Sequence, residues 1–252
     1  MCDLVGVAEI TLELHDGVAV LTVDNAELRN ALDPELARDL IAACDEVDAD
    51  TSIGAAVVRG ANGTFCSGAD RSLLDTPADQ AGDETYQAMG LVYRSFHRVG
   101  QLTVPTIAAV RGAAVGAGMN LMMATDLRVV ATDATVLAGF LRIGLHPGGG
   151  FFTLAGRAAG RETAAALGLF SEKLVGSQIV GAGLAWEAVP DVEVDGRALE
   201  LASRAAADPA LARVAVESFR RELGPPPISW DVAIGFERPS QMWSLTRRAA
   251  RD

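Results

Sequence analysis

Apolar residues alternate with polar ones at Ile10, Leu12 and Leu14, and an apolar run from Val18 to Val23 follows across His15-Asp16-Gly17. Period-two patterning on either side of a glycine-bearing turn predicts a β-hairpin. The period then changes. Leu36, Leu40, Ile41, Cys44 and Val47 recur at helical spacing. Asp33 ahead of them can cap the helix, and Pro34 suits its first turn. Ala55 to Val58 predicts a short buried strand, ending at Arg59-Gly60 and followed by Phe65-Cys66-Ser67-Gly68-Ala69-Asp70. Asp75 to Asp83 is polar and small, which predicts a mobile loop before a helix from about Glu84 to Val99. Thr106 to Val110 and Leu127 to Ala131 predict further strands, separated by a Gly/Ala loop (Arg111 to Gly118) and a buried helix (Met119 to Ala124).

Strand, strand, helix thus recurs, and alternating elements argue an α/β fold. From about Val194 the pattern turns helical, over Leu199 to Ala206, Pro209 to Leu223 and Ser229 to Arg248, with Pro225-Pro226-Pro227 dividing the last two. The expected organisation is a core over 1–193 and a helical region over 194–252 that serves oligomerisation and covers a site. No linker is long enough to make that region independent.

Composition narrows the function. The 252 residues are half apolar but only 5% aromatic, so the core must be built mainly of Ala, Val and Leu. A net charge of −12 and a pI near 4.7 exclude a general nucleic-acid binder, which needs clustered Lys and Arg. Cys2, Cys44 and Cys66 show neither disulfide pairing nor metal-ligand spacing. Met1 to Glu9 lacks a basic, apolar leader, and no stretch of about 18 apolar residues occurs. A cytoplasmic protein without a membrane span or a metal is expected.

Two small-residue loops carry the candidate chemistry, Ser67-Gly68-Ala69-Asp70 and Gly116-Ala117-Gly118. Without bulky side chains, their amides can approach a ligand closely, and at a helix start they favour negative charge. One amide from each loop can hold a thioester oxygen as it becomes an enolate. Close packing alone also explains such loops. A nucleotide-binding turn is the sharper rival, because Gly112, Gly116 and Gly118 follow a strand and precede a helix. That motif normally opens its fold; here more than a hundred residues precede it. A dehydrogenase Tyr-x-x-x-Lys pair is also missing, since Lys173 is the sole lysine and lies far from Tyr86 and Tyr93. A dinucleotide oxidoreductase is therefore a distant alternative.

The segment Arg29-Asn30-Ala31-Leu32, the loop Phe65 to Asp70, the run Pro105 to Gly118, Thr125-Asp126-Leu127-Arg128 and Ile143 to Gly150 come in the order of one family. Over about residues 10–190 the chain resembles the crotonase (enoyl-CoA hydratase/isomerase) family. The resemblance implies a spiral of ββα units, with C-terminal helices that mediate trimers or dimers of trimers. It implies a coenzyme A thioester as substrate or ligand, and no other cofactor. The thioester oxygen would meet the amides of Ala69 and Ala117, with Gly116 beside them, and Arg29, Ala31, Ser67 and Asp70 would lie along the bent CoA. The resemblance also shows what is missing. The two glutamates of a family hydratase fall at Asn120 and Phe140, and a further carboxylate position falls at Gly148. Asn120 can orient a water or carbonyl, and Phe140 makes an apolar wall.

General acid/base groups each contribute roughly 10²–10⁴-fold, so ordinary hydration should be severely reduced. His146, beside Pro147 and Gly148, is the best replacement candidate, because an imidazole titrates near neutrality. His97 suits a structural role at a helix C-terminus, where its charge meets the dipole. His15 belongs to solvent in a hairpin turn, Asp70 to a helix cap, and Cys66 to the core. Tyr86 and Tyr93 share a helix face as core or pocket wall. Two readings lead: an enolate-stabilising enzyme with non-standard lyase or isomerase activity, and a non-catalytic acyl-CoA binder.

Overall fold

The computed structural model describes residues 8–75, 82–223 and 229–249. The predicted hairpin forms between β1 (Glu9–His15) and β2 (Val18–Asp24), paired antiparallel. Helix α1 (Pro34–Ala49) starts where the sequence places it: the Asp33 carboxylate accepts from the amides of Glu35 and Leu36, both at 2.8 Å. Strand β3 (Ala55–Gly60), helix α2 (Arg71–Leu74) and helix α3 (Asp83–Val99) follow. The expected mobile loop falls largely on 76–81, outside the described residues.

Next come β4 (Thr106–Val110), β5 (Ala113–Val115), α4 (Ala117–Ala124), β6 (Leu127–Ala131), β7 (Thr135–Leu137) and α5 (Phe151–Gly168). Then β8 (Lys173–Val175), α6 (Ser177–Gly181), β9 (Glu187–Val189), α7 (Val194–Ala206), α8 (Pro209–Leu223) and α9 (Trp230–Ala249) complete the chain. The Pro225-Pro226-Pro227 break lies outside the described residues.

A six-stranded sheet runs β1-β2-β3-β4-β6-β9, parallel from β2 onward. A smaller sheet runs β5-β7-β8. Two consecutive stretches, β4-β5-α4 and β6-β7-α5, each give one strand to each sheet and then a helix. This is the expected ββα repeat. Strands β2 and β4 are apolar almost throughout, as parallel strands covered on both faces must be. Helix α7 lies across β2, β3, β4 and β6, and its small residues Ala198, Ala202 and Ala206 let it sit close.

Two expectations are corrected. The Gly/Ala loop over 111–118 contains β5, because Ala113–Val115 pairs in register with Thr135–Leu137. Strands β7, β8 and β9 and helix α5 have no counterpart in the sequence reading. The three strands are three residues each, too short to display a period. Among the described residues no helix is long and apolar enough to cross a membrane.

Candidate active site

The Arg29–Leu32 turn is the first piece of the site. Asn30 is buried in a left-handed conformation, and its amide donates to the carbonyls of Ala61 (2.9 Å) and Thr64 (2.6 Å). Its side-chain oxygen accepts from the Asn25 amide at 2.9 Å, which fixes the turn at both ends. The turn in turn holds the first loop. Ser67 N–H donates to the Arg29 carbonyl, Leu32 N–H to Gly68, and Asp70 N–H to Leu32, all at 2.8–3.0 Å. On its other side the loop extends the small sheet, where Cys66 N–H donates to Ala113 and Val115 N–H to Cys66, each at 3.0 Å.

The second loop is fastened to the first. Gly116 caps α4 with φ +51°, which an L side chain rarely adopts, and its N–H donates to Leu137 at 3.0 Å. Any Cβ on Gly118 would collide with the Cys66 carbonyl, so only glycine permits this approach. A Cβ built on Gly68 would lie 3.8 Å from the Ala117 nitrogen, so the two loops touch. Outside the helices and strands, no described backbone carbonyl accepts from the N–H of Ala69 or of Ala117. Ala117 is the first residue of α4, where an amide has no partner within its helix.

Both loops border a cavity of about 270 Å³. Phe140 forms one wall, its ring edge-on to Phe151 at 5.4 Å. The inner wall is polar and buried, and consists of Asn120, Gly148, Tyr93 and Gln241. The Asn120 Nδ2 donates to the Gly148 carbonyl at 2.8 Å. A Cβ on Gly148 would collide with the Tyr93 hydroxyl and come within 2.6 Å of the Gln241 amide. Tyrosine and glutamine thus fill the space where the resemblance implied a carboxylate. Burial, reinforced by the charge of Glu237, raises the Tyr93 pKa above the usual phenol range.

A second, more polar cavity of about 390 Å³ adjoins the first and shares Ser67, Ala69, Arg71 and Val115 with it. It brings together Arg29, Ala31, Ser67 and Asp70. The Ser67 hydroxyl donates to the Leu28 carbonyl at 2.7 Å, and the Asp70 carboxylate accepts from the Ser72 amide at 2.7 Å, capping α2.

Other sequence candidates fall elsewhere. His146 does not line either cavity, and its Nδ1 sits 2.6 Å from the Pro147 carbonyl oxygen. His97 lies 3.1 Å from Asp231 and edge-on to Trp230 at 4.5 Å. Burial lowers its pKa, so the ring is not held as the cation expected at the helix end. Burial pushes the Cys66 thiol up to about 12, which leaves it an inert core residue.

The sequence reading placed the helix that is α9 at Ser229 to Arg248 but missed the side chains it gives to the site. Glu237 Oε2 accepts from the Gly150 amide (2.6 Å) and the Phe151 amide (3.2 Å), capping α5 from another helix. Burial pushes this carboxyl up to about 7, against the pull of those amides. Gln241 stands one turn further along. Glu and Gln at i and i+4 on a predicted helix were the available signal, but nothing local says what such a pair meets.

A family model described as enoyl-CoA hydratase/isomerase matches residues 13–229. "Probable enoyl-CoA hydratase EchA14" of Mycobacterium tuberculosis is 39% identical over 200 residues, covering 79% of this chain and 76% of its own. The 1,2-epoxyphenylacetyl-CoA isomerase of Escherichia coli is 31% identical over 205 residues, covering 79% and 77%. Among solved structures, an enoyl-CoA hydratase/carnithine racemase from Magnetospirillum magneticum superposes with a TM-score of 0.80 at 27% identity, over 89% and 84% of the two chains.

Proposed function

We propose that this chain, which belongs to the enoyl-CoA hydratase/isomerase family, binds an acyl-CoA thioester by its carbonyl oxygen through the main-chain amides of Ala69 and Ala117. The observation that carries this reading is the meeting of two amide-bearing loops at the border between an apolar and a polar cavity. The acyl group then occupies the inner cavity. The CoA runs out along Arg29, Ala31, Ser67 and Asp70.

Fixed N–H dipoles aimed at a carbonyl favour the charge of an enolate, and removing one such donor typically costs about 10²–10³ in rate. Among the described residues lining the inner cavity there is no aspartate, glutamate or histidine. Water activation by paired carboxylates is therefore not the chemistry this cavity supports. Enolate stabilisation by the two amides is, and an isomerase or lyase step through that enolate requires a proton acceptor from outside this lining. The relatives divide between the two classes, a probable hydratase at 39% identity and the isomerase at 31%, so the preference rests on the cavity lining. His146 lines neither cavity, so it serves as that base only if its ring reaches the inner cavity.

The experiment is a panel of enoyl-, dienoyl- and short-chain acyl-CoA esters, followed by calorimetry and by chromatography of products. Binding with conversion of at least one ester is the expected result. Binding without conversion identifies the second reading, a non-catalytic acyl-CoA binder, which the absence of those acid/base groups favours. No binding to any ester overturns the proposal, and stabilisation by NAD(P) instead would restore the dinucleotide alternative. The protein assembles as a trimer or a dimer of trimers, a reading supported by Leu211, Val214 and Phe219, exposed on α8. Light scattering tests it, and a monomer would reject it.

A further inference from the structure

Among the described residues, the Tyr93 hydroxyl and the Asn120 Oδ1 on the inner wall of the acyl cavity are buried and have no hydrogen-bond partner. Both residues are almost wholly buried, at 3% and 1% exposure. Their orientation is not arbitrary. Asn120 spends its Nδ2 on the Gly148 carbonyl at 2.8 Å, so the oxygen is the end left over. The Tyr93 ring is set at 5.9 Å from Phe96, and its hydroxyl packs against the α-carbon of the same Gly148. One glycine therefore gathers both atoms on one stretch of wall.

Their chemistry is complementary. An amide oxygen only accepts, whereas a phenol both donates and accepts. Burial and the nearby Glu237 carboxylate keep the phenol protonated. A group that receives from Tyr93 and gives to Asn120 satisfies both. A plain alkyl chain leaves both unpaired. A carboxylate would set negative charge against the Asn120 oxygen, and the two guanidinium groups that border the cavity belong to the exposed residues Arg71 and Arg142.

We propose that Tyr93 and Asn120 select acyl groups carrying a neutral donor–acceptor function, a hydroxyl in the first instance, over plain alkyl and carboxylated chains. The inference rests on the acyl-CoA reading above and names the substrate class of that site. Buried polar groups reject an analogue that lacks the matching function because they are left unpaired in its complex.

The test is calorimetry with butanoyl-CoA, its 3-hydroxy and 4-hydroxy derivatives, the C4 terminal carboxamide and succinyl-CoA. One hydroxylated ester or the carboxamide should bind about 10- to 100-fold more tightly than butanoyl-CoA, with succinyl-CoA weakest. Tyr93→Phe, which keeps the ring, should bring that ratio close to one, and Asn120→Leu should do the same if the first variant fails to fold. Equal affinity across the wild-type panel overturns the inference and leaves acyl-CoA binding standing. An unchanged ratio in Tyr93→Phe also overturns it. Absence of binding by every ester overturns both this inference and the proposed function.

Discussion

The two ends of the inner cavity are built by different means. Its mouth is bordered by the two main-chain loops that carry Ala69 and Ala117, whose bonds run to Leu32, Ala113 and Leu137. Its inner wall is side chain: Asn120 from α4, Tyr93 from α3 and Gln241 from α9, with Glu237 fastening α9 to the start of α5. A main-chain device leaves a mark in sequence because it demands particular small residues at fixed spacing. A wall drawn from three separated helices demands only that each side chain fit its neighbours, so its chemistry is free to change while the mouth stays the same. In this chain the wall is neutral where the family resemblance calls for acids.

The largest expected effect attacks the mouth. Ala117→Pro removes one N–H at a first helical position, where proline is tolerated. It should reduce kcat on any ester that the wild type converts by about 10²–10³, with an unchanged melting temperature as the control. A loss under tenfold would mean that the amide does not carry the charge.

The next effect attacks the wall's attachment. Because burial raises the folded-state pKa of Glu237 to about 7 from 4.5, its contribution to stability is complete below pH 4.5 and is lost as pH rises through 7. That window is worth about 3 kcal/mol. The protection factors of the α9 amides, taken against the intrinsic exchange rate at each pH, should fall between pH 5 and 8 in the wild type, and Glu237→Gln should flatten that dependence. Equal slopes in the two proteins would show that this carboxyl is ionised throughout.

A smaller effect probes the joint between the loops. Gly118→Ala drives a methyl into the Cys66 carbonyl, and such overpacking costs about 1–3 kcal/mol. Denaturant unfolding should register it, and a neutral result would mean that the loops separate easily. The smallest effect is expected at His146. Its ring lies outside both cavities, so His146→Gln should change turnover less than about twofold, against the 10²–10⁴ that a general base contributes. A hundredfold loss would bring His146 into the site.

Legibility followed the same division. The hairpin, α1 with its Asp33 cap, strands β3, β4 and β6, and both glycine loops could be read from local pattern, because each obeys one short-range rule. Asn120, Phe140 and Gly148 could be placed only through the family resemblance. Strands β7, β8 and β9 could not, since three residues do not establish a period. Glu237 and Gln241 could not either, because the amides that Glu237 accepts from lie 86 and 87 residues away and Gln241 packs against the distant Gly148. Tyr93 looked like ordinary packing from its spacing. Only the fold gives its hydroxyl an unoccupied buried position.

The most direct measurement is isotope-edited infrared spectroscopy of an acyl-CoA labelled with ¹³C at the thioester carbonyl. Two amides converging on that oxygen should lower its stretching frequency on binding, and Ala117→Pro should recover part of the shift. A bound thioester whose frequency matches that in water would contradict the account at its centre.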